Sequence, residues 1–283
     1  MEVAVVGLGL MGGSLSLSLQ QEGKDYHFIG VDSNEQHCAT AQALGIVEKC
    51  VTLEQAVASV DLIVLTTPVD VILNILPELL DRVKPGQVIV DFGSTKALIC
   101  QQVNNHINRS QYVAAHPMAG TENTGPEAAF AELYKGCINI LCETALSSKE
   151  ALNVARCLFE DLEMTVIDME AADHDKHVAY ISHLSHVSSF MLGRTVLDIE
   201  KDEKNIFNLA GSGFQSTVRL AMSSPDMWGP IFFQNAQHIS LALEEYIRHL
   251  QEFKDKIDSN DRHSLLKLMK EANNIRRILK KKD

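Results

Sequence analysis

Short apolar runs alternate with segments of helical periodicity through the first 169 residues. The runs have the length of strands, and their continuous hydrophobicity is typical of strands that helices cover on both faces. Between most of them, apolar residues recur every three or four positions, as on one face of a helix. The predicted strands are 3–6, 27–31, 47–50, 61–68, 87–91, 111–115, 137–141 and 164–168. The predicted helices are one after residue 12, then 34–44, 53–58, 69–82, one after residue 96, and 149–161.

The pattern changes near residue 170. No further strand is predicted, and helical periodicity runs through 171–197, 203–210, 214–222, 225–236, 237–258 and 261–281. We therefore expect two domains, an α/β domain over residues 1–169 and an all-helical domain over residues 170–283. Because the helical domain is small and has several apolar stretches, we expect it to bury part of its surface against a second copy in a homodimer.

A glycine-rich turn joins the first predicted strand to the first helix. Gly7, Gly9 and Gly12 have the Gly-x-Gly-x-x-Gly spacing. The first glycine of this motif takes the tight-turn conformation, the second leaves room for a pyrophosphate, and the third lets the helix pack closely on its strand. The phosphates would bind free N–H groups at the helix start, where Leu10 and Met11 lie. The alternative is an ordinary tight connection without a ligand.

Asp32 favours the dinucleotide interpretation. It ends the second predicted strand, twenty residues after Gly12, where the motif has an acid that accepts hydrogen bonds from the adenosine ribose. A carboxylate there repels a 2′-phosphate, and the Ser33-Asn34-Glu35 segment supplies no arginine to bind one. The sequence therefore predicts a Rossmann-type, mostly parallel sheet that binds NAD in preference to NADP, followed by the all-helical domain.

Composition and charge argue against several classes of protein. The 283 residues include 25 basic and 37 acidic side chains, and the net charge of −12 disfavours nucleic acid or an anionic membrane as a partner. No apolar run approaches the roughly 20 residues of a membrane span, and a strand predicted from residue 2 or 3 leaves no room for a signal peptide. We expect a cytoplasmic protein.

The six cysteines contain no C-x-x-C pair, and no metal site is expected.

Candidate catalytic residues follow the strands of the predicted sheet. Ser94, His116 and the Thr67-Pro68 pair each come after a predicted parallel strand, so they should border the nicotinamide end of the cofactor. An imidazole titrates near neutral pH, and His116 could accept a hydroxyl proton while hydride leaves the same carbon. Two alternatives stay open. His116 could be a hydrogen-bonded loop residue, and Ser94 could cap the next helix.

The helical half adds histidines and an arginine. Four histidines point in different directions on a straight helix, so they are not expected to bind one metal ion together, although one could face the crevice as a substrate donor. They are His174, His177, His183 and His186. Arg219 follows a glycine-rich break, and its guanidinium suits a carboxylate, the alternative being a surface ion pair.

Five motifs spread over nearly the whole chain make it similar to the prephenate dehydrogenases, a family with arogenate-using members in tyrosine biosynthesis. The motifs are Gly7–Ser14, Asp91–Lys96, His116–Glu122 with Gly125, Ile181–His186 and Gly213–Arg219. The His116 motif, with its Ala-Gly-x-Glu sequence, is far more specific than the glycine motif. The resemblance implies an NAD-binding domain joined to a helical dimerisation domain, with the active site between them.

The resemblance also implies roles for individual residues. His116 would accept the proton of the substrate's ring hydroxyl, and Ser94 would help to hold that histidine and the substrate. His186 and Arg219 would bind substrate groups from the helical side, and Glu122 would belong to a polar network at the entrance. The implied reaction is the NAD-dependent oxidation of prephenate with loss of its ring carboxylate as CO₂, which gives 4-hydroxyphenylpyruvate.

Two positions depart from the family pattern. Ser216 stands where the family usually has Asp before Thr-x-Arg, and Ser185 stands where it usually has Pro. With one acid fewer near the substrate side chain, an ammonium group is less well accommodated, which favours prephenate over arogenate.

Other functions are kept as alternatives. Arogenate dehydrogenase needs the same chemistry. A β-hydroxyacid dehydrogenase, a pyrroline-carboxylate reductase or an imine reductase also joins a Rossmann domain to helices, but the His116 motif argues against them. A non-catalytic NAD-sensing module would bind NAD without needing Ser94, His116 and Arg219 together.

Overall fold

The computed structural model describes residues 1–201, 203 and 209–279. The chain forms two compact units, Met1–Ala236 and Gln237–Asp283. Most of the helix predicted at 203–210, and the last two residues of the one predicted at 261–281, lie outside the described residues. The domain boundary between residues 169 and 170 stays a prediction. No helix in the described ranges is long and apolar enough to span a membrane.

The first unit is built on one sheet of eight strands in the order β3-β2-β1-β4-β5-β6-β7-β8. The strands are β1 Glu2–Val6, β2 His27–Val31, β3 Lys49–Cys50, β4 Leu62–Leu65, β5 Val88–Asp91, β6 Tyr112–Pro117, β7 Ile138–Cys142 and β8 Thr165–Met169. Neighbouring strands are parallel except β6 and β7. The predicted mostly parallel, Rossmann-type sheet is confirmed.

The strand order reverses between β1 and β4, which lie side by side, with Val5 paired to Val64 and, on its other side, to Gly30. The helices that follow β1 and β4 therefore leave on opposite faces of the sheet. Such a reversal opens a crevice at the carboxyl ends of the strands, and ligands of this fold bind there.

Helices of the first unit pack on both faces of the sheet. The α-helices described in this unit are α1 Leu10–Gln21, α2 Glu35–Ala43, α3 Leu53–Ser59, α4 Val69–Arg82, α5 Ala97–Val103, α6 Lys149–Asp161, α7 Ala171–Val178, α8 Leu184–Glu200, α9 Ser212–Val218 and α10 Pro225–Gln234. The remaining helices are α11 Ala236–Asp258, α12 Arg262–Ala272 and α13 Arg276–Leu279.

Alternate residues of the buried strands feed two apolar cores, one on each face. Val3 and Val5 of β1 point into the first core, whereas Ala4 of the same strand points into the second. The second core also contains Trp228 and Ile231 of α10. A helix from the predicted helical half therefore completes the core of the sheet, which brings its side chains close to the strand ends.

The single helix predicted over 171–197 is wrong in one respect. A π-helical segment, Ala179–His183, separates α7 from α8. Its wider turn changes the direction of every later side chain, so the straight-helix geometry used for the four histidines does not apply. Within the described residues, no group of three or more metal-ligating side chains is found.

Candidate active site

A cavity of about 920 Å³ opens at the crevice, wholly within the first unit. The glycine turn and the ends of β2 and β4 line one part of it, and Ser94 and His116 line another. His186 and Arg219 line it from the helical half. The predicted site residues that line the cavity are Gly7, Gly9, Leu10, Met11, Asp32, Thr67, Pro68, Ser94, His116, His186 and Arg219. Of the predicted set, Gly12 and Glu122 lie outside the lining.

The glycine turn has the predicted geometry. Gly7 has a φ of +100°, which side chains rarely adopt, and a Cβ at Gly12 would lie 2.2 Å from the Gly7 carbonyl oxygen. A Cβ at Gly9, by contrast, would have no atom within 4 Å, so open space lies in front of that residue. Gly9 is also the N-cap of α1, and no side chain caps the helix. Free N–H groups beside open space are what a pyrophosphate needs.

Asp32 ties the glycine turn to the end of β2. Its carboxylate accepts hydrogen bonds from the backbone N–H of Leu8 at 2.7 Å and of Asn34 at 2.8 Å. These bonds fix an acceptor at the place where a ribose would lie. His37, which the sequence did not single out, places its Nδ1 3.5 Å from the same carboxylate.

His116 lies within a strand, which corrects its prediction as a loop residue. It is the fifth residue of β6 and is only 8% exposed. Its Nδ1 lies 2.7 Å from Nε2 of His174, and Nδ1 of His174 lies 2.7 Å from Oδ1 of Asp175. Burial, followed by the influence of His174, Lys96 and His183, lowers the pKa of His116 well below its ordinary value. The imidazole is therefore neutral at physiological pH.

A fully buried ion pair between Lys96 and Asp91 supports the end of β6. The Lys96 ammonium also donates to the carbonyl oxygen of Ala115 at 2.7 Å, and Asp91 accepts from the Tyr112 hydroxyl at 2.8 Å. These two bonds anchor β6 at Tyr112 and at Ala115, the residue directly before His116. Both charged residues stand in the Asp91–Lys96 motif, but no pattern in the sequence predicted that they pair with each other.

Ser94 lines the cavity and caps no helix, so its capping alternative is wrong. The side chain of Asp175 caps α5 from outside, because it accepts from the backbone N–H of Lys96 at 2.8 Å and of Ala97 at 2.9 Å. The hydroxyl of Ser94 is therefore left for the cavity.

His186 lies flat on Trp228, with ring centroids 3.5 Å apart and an interplanar angle of 25°. Its Nδ1 is 3.1 Å from the carbonyl oxygen of Ser182, so that nitrogen carries the proton. Burial lowers the pKa of His186. Trp228 is buried, lines the cavity, and has an indole N–H without a hydrogen-bond partner in the described structure. Sequence reasoning missed Trp228, although a single tryptophan before Gly229-Pro230 was a signal.

Arg219 lines the cavity and forms an ion pair with Glu122. The guanidinium side chain is 49% exposed, and the carboxylate side chain is 17% exposed. A backbone hydrogen bond and then the bond from Arg219 lower the pKa of Glu122. Ser216 is exposed, and its hydroxyl donates to the carbonyl oxygen of Gly213 at 3.0 Å. Glu122 is therefore the acid that meets Arg219 in this chain.

The fold and the cavity together define a class of protein, a dehydrogenase that binds a dinucleotide. The description "Prephenate dehydrogenase, nucleotide-binding domain" fits residues 15–168, and "Prephenate dehydrogenase, dimerization domain" fits residues 170–271. The chain belongs to the prephenate dehydrogenase family, and it is an oxidoreductase. The predicted family resemblance is confirmed.

Similar proteins agree with this assignment. The chain is 27% identical over 281 residues to a prephenate dehydrogenase of Lactococcus lactis, covering 98% of this chain and 77% of that one. It is 30% identical over 280 residues to a cyclohexadienyl dehydrogenase of Zymomonas mobilis, covering 98% and 96%. The crystal structure of Aquifex aeolicus prephenate dehydrogenase with hydroxyphenyl propionate and NAD⁺ is 29% identical, has a TM-score of 0.87, and covers 99% of this chain and 98% of that one.

Proposed function

We propose that this chain catalyses the NAD-dependent oxidative decarboxylation of prephenate to 4-hydroxyphenylpyruvate in tyrosine biosynthesis, with His116 as the proton acceptor. The observation that carries the proposal is a neutral, buried His116 whose Nδ1 is occupied by His174, in a cavity that also contains the glycine turn and Arg219. Nε2 is then the ring nitrogen that can meet a substrate hydroxyl.

The cofactor is NAD. The residues proposed to hold it are the glycine turn, Asp32, and the Thr67-Pro68 segment at the end of β4. They fit the cofactor because Gly9 faces open space, the start of α1 has no side-chain cap, and Asp32 is a fixed acceptor. When bound there, NAD supplies the acceptor for a hydride.

The residues of the chain have to orient prephenate and remove one proton. His116 accepts the proton of the ring hydroxyl at Nε2 while the hydrogen on the same carbon leaves as hydride. The new carbonyl is conjugated with the two ring double bonds, so the ring carboxylate can leave as CO₂ while the electron pair of the broken C–C bond moves through the ring to the carbonyl oxygen. The ring becomes aromatic, and the oxygen takes back the proton held at Nε2 of His116 to give the phenol. Because aromatisation makes the overall reaction strongly downhill, positioning and deprotonation are the main tasks of the protein.

Arg219 is proposed to bind a substrate carboxylate, because its planar guanidinium is half exposed and can donate to more than one acceptor. Ser94 and His186 line the same cavity and are proposed to hold the hydroxyl end and the body of the substrate. Glu122, through its ion pair, is proposed to fix the direction of the guanidinium.

Arogenate is the second candidate substrate, and Glu122 is the observation that favours it. Arogenate has an ammonium group where prephenate has a keto group, and the Glu122 carboxylate lies beside Arg219, where it could accept that ammonium. Prephenate is preferred because Glu122 is already paired with Arg219 and position 216 supplies only a serine hydroxyl bonded to its own helix.

The assay for this proposal is NADH formation at 340 nm by the purified protein with NAD and prephenate. Arogenate replaces prephenate, and NADP replaces NAD, in parallel reactions. The expected result is turnover with prephenate and NAD and a much lower kcat/KM with arogenate or NADP. Comparable kcat/KM for prephenate and arogenate would contradict the substrate preference. Measurable NAD binding without turnover in any combination would favour the NAD-sensing module.

We also propose that the chain forms a homodimer through its helical part. In the second unit, large apolar side chains of α11 and α12 are about half exposed: Leu241 at 50%, Ile247 at 61%, Ile257 at 56% and Met269 at 49%. The match to a dimerization-domain description covers both helices. Analytical ultracentrifugation is expected to give about twice the 31.3 kDa chain mass.

A further inference from the structure

Three side chains from two elements form a continuous hydrogen-bonded chain that ends in the cavity. Asp175 and His174 are adjacent on α7, and His116 is on β6. The contact between the two imidazole nitrogens and the contact between His174 and the Asp175 carboxylate are both 2.7 Å long. All three residues are less than 10% exposed. Bulk water therefore does not compete for these bonds, and each ring nitrogen has a defined partner.

The protonation of the chain follows from the Asp175 end. The pKa of Asp175 is lowered despite its burial, by His174 first and then by the backbone N–H groups of Lys96 and Ala97, so it is a carboxylate. A carboxylate only accepts, so Nδ1 of His174 carries a proton. The pKa of His174 is lowered by burial, so the ring is neutral and its Nε2 accepts. Nδ1 of His116 must then be the donor, which leaves Nε2 of His116 without a proton.

We propose that His174 and Asp175 are positioning residues that keep His116 in the tautomer with its proton on Nδ1 and a bare Nε2 directed at the substrate. This inference rests on the proposed function, because it gives Nε2 the task of accepting the hydroxyl proton. When that proton arrives, the imidazolium donates to neutral His174, which donates to the Asp175 carboxylate. No proton has to move along the chain for the charge to be stabilised.

The other charged groups around His116 do not replace this carboxylate. Lys96 is paired with Asp91, and its ammonium lowers the pKa of His116, so Lys96 does not stabilise the imidazolium. His183, on the π-helical segment, has its pKa lowered to about 4 by burial and is neutral. Asp175 is therefore the anion that the hydrogen-bonded chain connects to His116.

The first test is Asp175→Asn, with Asp173→Asn on the exposed face of the same helix as the matched control. An asparagine amide can donate to Nδ1 of His174, which turns both rings to the opposite tautomer and puts a proton on Nε2 of His116. The expected result is a fall in kcat of about 10²- to 10³-fold, with the NAD dissociation constant and the prephenate KM changed less than about threefold. A kcat equal to that of Asp173→Asn would overturn the proposal.

The second test separates hydrogen bonding from packing at position 174. A glutamine can accept from Nδ1 of His116 and donate to Asp175, whereas a leucine fills similar space and can do neither. We expect His174→Gln to keep at least about tenfold more kcat than His174→Leu, with His177→Gln as the exposed control on α7. Equal kcat in the glutamine and leucine variants, at equal thermal stability, would contradict a positioning role.

The third readout needs no turnover. Long-range ¹H–¹⁵N spectra of protein labelled with ¹⁵N-histidine distinguish a protonated from a bare ring nitrogen, and the His116 signals are those absent from His116→Asn. The expected resting state is protonated Nδ1 and bare Nε2, with the reverse in Asp175→Asn. A protonated Nε2 in the unmodified protein would refute the proposal even if the enzyme is active. The expected tautomer in a protein inactive with prephenate and arogenate would refute the proposed function alone.

Discussion

At the scale of the residue, the environment of His116 decides its chemistry. The side chain is buried, its Nδ1 is bonded to His174, and Lys96 and His183 lie close enough to disfavour a positive charge. A base in such a place is neutral over a wide pH range, at the cost of a lower affinity for the proton it must accept.

The pH dependence of kcat/KM tests that environment. Because the pKa of His116 is lowered well below its ordinary value of 6.5, the base stays unprotonated as the pH falls through 6.5. We expect kcat/KM for prephenate to stay level from pH 8 to below pH 6.5 and to fall only at lower pH. An acidic limb centred at or above pH 6.5 would contradict the assigned environment.

A second prediction for a single residue concerns Arg219 and the binding of prephenate. Arg219→Gln removes a charged, two-pronged donor, so the KM for prephenate should rise on the order of 10- to 100-fold while NAD affinity stays unchanged. Arg194→Gln is the matched control, because Arg194 is an exposed arginine that pairs with Asp198 on its own helix. An unchanged KM in Arg219→Gln would remove Arg219 from the substrate site.

Sequence reasoning identified residues that carry their own chemistry and missed those that act through others. His116 and Arg219 stood out because an imidazole and a guanidinium suit few other tasks. His174 was only one of four candidate histidines and Asp175 was not singled out, because their role depends on a contact between α7 and β6, 58 residues apart. Trp228 was missed for the same reason, since its partner His186 lies on another helix.

At the scale of the element, glycine sets how closely α1 approaches the sheet. Gly12 and Gly9 belong to one motif but face opposite environments, since a Cβ at Gly12 would overlap the Gly7 carbonyl oxygen and a Cβ at Gly9 would meet nothing. The sequence predicted this difference because the motif's spacing defines the turn locally. It could not predict the π-helical segment, which no local pattern marks.

The two glycines give a paired prediction. Gly12→Ala should lower the free energy of unfolding by about 1–3 kcal/mol, because the backbone of the turn has to move away from the new methyl group. Gly9→Ala should change it by less than about 0.5 kcal/mol and weaken NAD binding at least about tenfold, because the methyl group would occupy the space proposed for the pyrophosphate. Urea denaturation and NAD titration measure the two effects. A large loss of stability in Gly9→Ala, together with weakened NAD binding but unchanged stability in Gly12→Ala, would contradict the proposed pyrophosphate site at the glycine turn.

At the scale of the whole first unit, four buried or half-buried histidines with lowered pKa values couple stability to pH. They are His116, His174, His183 and His186. Below pH 6.5 the unfolded chain binds protons that the folded chain excludes, so their contribution is complete above pH 6.5 and is lost as the pH falls. The loss continues to the folded pKa, which is about 4 for His183.

The expected result is a free energy of unfolding that falls between pH 6.5 and 4.5 by up to about 1.4 kcal/mol per pH unit for each such histidine. Urea denaturation at fixed protein concentration measures it. His183→Gln should reduce the slope, whereas His177→Gln, which alters an exposed histidine of α7, should leave it unchanged. A stability that is constant over this range would contradict the burial of neutral imidazoles.

The strands of the sheet were predicted well from the sequence, whereas the packing of distant helices on the sheet was not. Buried strands such as β4 and β5 are continuous apolar runs, so their positions are encoded locally. That α10 packs on the sheet through Trp228 depends on contacts between distant parts of the chain, which periodicity does not contain. The candidate site was therefore predicted as separate residues at strand ends, and its hydrogen-bonded connections became visible only in the structure.

The role of His116 is tested most directly by the rate of NADH formation with prephenate and NAD, measured for the unmodified protein and for His116→Asn. If His116 accepts the hydroxyl proton, the unmodified protein turns over, and the variant binds NAD with unchanged affinity but loses at least about 10²-fold in kcat. A variant that retains the full kcat would contradict the assignment of His116 as the base.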